Sequence, residues 1–76
     1  MFAIIETSAS GSRPVISFVS EEKAAVNIAQ TRSYDLLHGA AVEVHEVVPG
    51  PLGIPLVTFR GRLLHLRHGG LSIQAN

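Results

Sequence analysis

Ala41-Val42-Glu43-Val44-His45-Glu46-Val47-Val48 is the stretch whose pattern decides the fold. Successive side chains of a strand point to opposite faces, so Val42 and Val44 fall on one side and Glu43 and His45 on the other. An apolar face backed by a polar one is the mark of an antiparallel sheet with one side turned to a core. The alternation breaks at Glu46-Val47-Val48, which reads as a bulge or a strand end.

The segment before this strand reads as a helix. Ser20 is placed to act as N-cap, and Glu21 and Glu22 sit where the positive end of the helix dipole favours acids. Ala25, Ile28 and Ala29 recur at i, i+3 and i+4, giving one apolar stripe whose small residues allow close approach to a sheet. The helix is expected to fade at Thr31 to Ser33 or to continue raggedly to Leu37. Gly39 then stands as the C′ residue and His38 as a last-turn partner.

Further toward the N-terminus, Phe2 to Glu6 and Val15 to Val19 read as two strands joined by the polar loop Thr7 to Pro14. On the C-terminal side, Pro49 to Pro55 reads as a rigid loop and Leu56 to Phe59 as a strand. Arg60-Gly61 reads as a tight turn into a strand Arg62 to Leu66. Arg67 to Gly70 reads as a further turn, and Leu71 to Ile73 as an optional last strand. The order is β-β-α-β-β(-β), with short links everywhere except through the helix. The expected class is α+β, a single domain over residues 1–76 with a small antiparallel sheet of four or five strands and one helix packed on one face. One helix leaves the other face open, and strands this apolar are expected to cover it with another molecule, a homodimer being the simplest case.

Composition narrows the function. The chain has 76 residues, no cysteine, and 46% hydrophobic residues, with a mean hydropathy of +0.31. Without cysteine, thiolate catalysis, disulfides and zinc–sulfur sites are excluded. Six basic residues balance six acidic ones, whereas a generic nucleic-acid binder carries a basic excess. Met1-Phe2-Ala3-Ile4-Ile5 is too short for a signal peptide or a membrane span, so a cytoplasmic protein with no membrane partner is expected.

Candidate functional residues are few. His45, His65 and His68 are the only candidate metal ligands. Residues three apart in a strand face opposite ways, so His65 and His68 converge only if the chain turns between them. Scattered histidines are the favoured reading, and no metal or other cofactor is expected. The carboxylates each have a structural role at hand and none is paired with a nucleophile. Gly11-Ser12-Arg13 and Gly69-Gly70 do not match a phosphate-cradling loop. No catalytic residue is assigned, and an enzyme is not expected.

Arg60, Arg62 and Arg67 form the sharper signal, with His65 and His68 interleaved. Such forks suit phosphate or carboxylate, on nucleic acid or on an acidic protein surface. The competing reading is an edge hairpin that uses charge to prevent aggregation. Arg32, Lys23 and Tyr34 complete the candidate partner-binding set, Tyr34 being the one aromatic residue that looks exposed.

Taken together, the first hairpin, the helix opened by Ser20-Glu21-Glu22, the exit Leu37-His38-Gly39 and the strand Val42-Glu43-Val44-His45-Glu46-Val47 resemble the short type I-F anti-CRISPR inhibitors of phages and mobile elements. The resemblance covers most of the chain in order and spacing. It implies a non-catalytic inhibitor that binds a CRISPR surveillance ribonucleoprotein on its backbone subunits, where guide and target DNA pair. No individual contact residue is carried over. A homodimeric accessory protein and a nucleic-acid binder using the arginine cluster are the alternatives.

Overall fold

The computed structural model describes residues 1–48, 50–53 and 61–69. Strands β1 (Phe2–Thr7) and β2 (Val15–Val19) precede helix α1 (Glu22–Ser33), and β3 (Ala41–Glu46) and β4 (Leu63–His68) follow it. The described sheet has four strands in the order β2-β1-β3-β4, and every pairing is antiparallel. This is the α+β arrangement expected, with the helix against one face. The expected strands Leu56–Phe59 and Leu71–Ile73 lie outside the described residues, as does Arg60.

Register assigns the two faces. Ile4 sits opposite both Ser17 and Val44, and Ile4, Val42 and Val44 form the core with Ala25 and Ala29 of α1. Those two alanines are fully buried, so the stripe read from the sequence is the one that meets the sheet. With side chains of one methyl, the helix axis approaches closely and Phe2, Val19, Val26, Ile28, Leu36 and Leu64 close the margins. Glu43 and His45 point away from this core, as the alternation requires.

Several local expectations need correction. Helix α1 begins one residue later than Ser20 would set it: the N-cap is Glu21, with extended backbone (φ −115, ψ 137) and no side-chain cap. Its carbonyl accepts the first helical bond from Ala25 N–H at 3.1 Å. Ser20 therefore lies outside the helix, because β2 keeps the chain extended for one residue beyond it. At the other end Gly39 is not the C′ residue. The helix stops at Ser33, whose buried hydroxyl donates to Gln30 O at 2.7 Å. Thr31 likewise donates back to Asn27 O at 3.0 Å, and such back-bonding loosens a last turn. Gly39, at φ +90, serves the turn in which Ala40 N–H reaches Leu37 O at 2.9 Å. His38 lies beyond the helix and outside its last turn.

The irregularity predicted at Glu46–Val48 is a plain strand end. Val47 N–H donates to Met1 O at 2.9 Å there. The register shift instead falls between Val44 and His45, which face His65 and Leu63 respectively. The extra residue is Leu64 on β4, and it packs against the core. Nor does the chain turn at Arg67: β4 runs through Arg67 and His68.

Two glycines fasten β4 to the rest. A Cβ on Gly61 would lie 1.4 Å from Glu46 O, and one on Gly69 would lie 2.0 Å from Leu37 O. Only a residue without Cβ passes either point.

Candidate functional site

Among the described residues no element packs on the face of the sheet away from α1, which is the bare face of the described sheet. Ala3 and Ile5 of β1 lie along its centre, between Phe18 and Ile16 on one side and His45 and Glu43 on the other. Leu63 and Leu66 of β4 continue it beyond His45 and Glu43. Ala3 and Ile5 are buried, but Phe18, Leu63 and Leu66 remain 44%, 47% and 45% exposed. The polar groups in this surface serve each other. His45 Nε2 lies 2.8 Å from Glu43 Oε1, so the pair presents little unsatisfied polarity to an apolar partner. Tyr34 is the one aromatic residue expected to be exposed, and the structure exposes Phe18 as well, on this open face.

Of the arginines read as a cluster, Arg62 and Arg67 are described and stand apart, whereas Arg60 lies outside the described residues. Arg62 Nε donates to Glu46 Oε1 at 3.1 Å. Arg32 at the end of α1 pairs with Glu6 of β1, tying helix to sheet. Arg67 is exposed near the far end of β4, about 16 Å along the strand from Arg62 at the usual rise per residue. Lys23 and Tyr34 are exposed at opposite ends of the helix. Of the two described arginines of the C-terminal cluster, Arg62 is held by Glu46 and Arg67 is exposed.

The histidines do not meet either. His45 belongs to the bare face, opposite Leu63, whereas His65 opposes the buried Val44 on the helix face. His68 returns to the bare face opposite Ala41, about 13 Å along the sheet from His45. Among the described residues no group of three or more His, Asp or Glu is arranged to hold a metal ion. His65 Nε2 is buried without a hydrogen-bond partner, a strain on β4 that sequence spacing does not reveal.

A depression of about 400 Å³ lies at the end of the sheet between the β1–β2 loop and the segment after the helix. Glu6, Arg13 and Asp35 line its rim. Hydroxyls of Ser8, Ser10 and Ser12 form a chain beside it, at 2.9 and 2.8 Å. They are exposed, and Glu6 is engaged by Arg32. Among the described residues no helix is long and apolar enough to cross a membrane. No family model, curated protein or solved structure matches the chain.

Proposed function

We propose that the chain is a non-catalytic protein-binding module whose docking surface is the bare face of the sheet. One observation carries this reading: three large apolar side chains, Phe18, Leu63 and Leu66, stand nearly half exposed on a face whose central polar groups, Glu43 and His45, hydrogen-bond each other. Such a face gains from covering and loses little by desolvation. Glu6, Glu43 and Glu46 are each engaged by an arginine or histidine of the same chain, which favours structural roles over acid–base work.

The partner suited to this surface is a protein with an apolar patch at its centre. The resemblance to type I-F anti-CRISPR inhibitors supplies the narrower version, in which the partner is a CRISPR surveillance complex and the bound module occludes its nucleic-acid-binding surface. Direct nucleic-acid binding draws less support from the geometry, because Arg32 and Arg62 are paired to carboxylates and Arg67 stands apart.

Parallel affinity isolation tests the wider reading. A partner retained by the wild type and by Lys23→Glu, and released by Leu66→Asp, is the expected result. Release by Lys23→Glu with retention by Leu66→Asp would move the contact surface to the helix and overturn the proposal. For the narrower version, the purified protein is expected to block target-DNA binding by a type I-F surveillance complex. Unimpeded DNA binding would remove that partner and leave the module.

A further inference from the structure

Among the described residues the sheet ends at β2, and none of them pairs with the outer side of this strand. An edge strand presents a row of unpaired backbone N–H and C=O groups, and natural sheets blunt such rows with charge, proline or a bulge. Val15-Ile16-Ser17-Phe18-Val19 contains no charge and no proline, and it pairs with β1 in unbroken register from Val15 to Val19. Val15 is 59% and Phe18 44% exposed.

The sequence of β2 is also close to symmetric about Ser17. Valine stands at both ends, a bulky apolar residue at the second and fourth places, and a small hydroxyl at the centre. An isologous interface sets residue i against j and j against i, so a strand that joins its own copy antiparallel must match its own reversal. From these observations we infer that β2 pairs with β2 of a second copy, antiparallel, with a two-fold axis at Ser17. Val15 then faces the partner's Val19, Ile16 faces the partner's Phe18, and the two Ser17 hydroxyls face each other. Aliphatic and aromatic–aliphatic pairs of this kind are the favoured cross-strand contacts, and with no charge in the strand no like charges are brought together.

The geometry has a consequence for the bare face. Opposite residues of paired strands share a face, so both helices lie on the same side and the two bare faces join into one. Four strands about 4.8 Å apart and about 20 Å long offer only about 400 Å² in projection. Joining two faces brings this to about 800 Å², the size that one partner contributes to a standard interface. Ile16 and Phe18 of both copies then lie at its centre. The pairing deepens the docking proposal but stands on β2 alone, and its test needs no other protein.

Because the chain has no cysteine, introduced thiols report the register directly. Full-length Ser17→Cys, Val15→Cys and the double variant Val15→Cys/Val19→Cys are oxidised mildly and resolved without reductant, with wild-type mass measured by sedimentation equilibrium. The wild type is expected to be a dimer, and Ser17→Cys and the double variant to form crosslinked dimers. Val15→Cys is expected to crosslink about tenfold more slowly or not at all, since the two Val15 positions lie about 14 Å apart across the axis. Adding Leu66→Asp to Ser17→Cys is expected to leave crosslinking intact, whatever it does to partner binding. A monomeric wild type, or Val15→Cys crosslinking as fast as Ser17→Cys, would overturn the pairing. Loss of the Ser17→Cys crosslink on adding Leu66→Asp, with the fold retained by circular dichroism, would overturn it in favour of face-to-face association.

Discussion

The two edges of the described sheet are built on opposite plans. β4 carries Arg67, His65 and His68, is led in by Arg62, and holds its extra residue at Leu64; β2 is neutral, regular and short. Charge and irregularity at an edge oppose pairing with another chain, and their absence invites it. Arg62 and Arg67 suit the guarding of the β4 edge of the described sheet, a device that β2 lacks.

The sharpest way to break the contrast is to detach β4. Gly61→Ala forces a methyl into the Glu46 carbonyl, which is backbone and cannot step aside, and is expected to cost about 3 kcal/mol. Chemical denaturation should show it, with the slope unchanged if the rest of the sheet still folds cooperatively. A cost below about 0.5 kcal/mol would mean that β4 is not held as described. A second change sharpens the guarded edge. His65→Phe keeps a flat ring opposite Val44 and removes the buried, unpartnered nitrogen; a gain of about 1–2 kcal/mol is expected, read as a raised thermal midpoint.

Smaller effects probe the connection and the open edge. Leu52, 96% exposed and at φ 63, holds a left-handed conformation with no packing to offset it. Leu52→Gly should stabilise by about 1 kcal/mol, and an unchanged midpoint would remove the strain from the account. Val15→Lys gives β2 the protection that β4 has. Its effect on the stability of the monomer should stay within about 0.5 kcal/mol while association weakens, so sedimentation and denaturation should disagree in sign of importance. A large loss of stability in the monomer would show that Val15 is a packing residue and not an edge residue.

How much of this was legible in the sequence depended on whether a residue's role was local. The alternation of Val42, Glu43, Val44 and His45 is a property of one strand, and it assigned both faces correctly. The Ala25–Ala29 stripe is a property of one helix, and it too met the sheet. Ser20 misled because its residue type suits a cap, whereas the backbone of Glu21 took the capping conformation, which depends on where β2 ends. The strand end read at Glu46–Val48 is observed, but the register shift opposite Val44 and His45 was not foreseen, for a similar cause. Leu63-Leu64-His65 shows no alternation to disturb, so only the pairing with β3 reveals that Leu64 is the extra residue. The candidate site was hidden for a topological reason: Phe18 looks like a core residue until strand order places it on the face away from the described helix. Arg62 and Arg67 looked adjacent because they are close in number, and an extended strand carries them apart.

The account rests on one face of the sheet being sealed and the other open, and solution NMR of the methyl groups reads this directly. With a soluble paramagnetic probe added, Leu63, Leu66 and Ile16 methyls are expected to broaden strongly while Ile4, Val42 and Val44 stay sharp. Equal protection of both sets in the purified protein would contradict the open face and the docking role built on it.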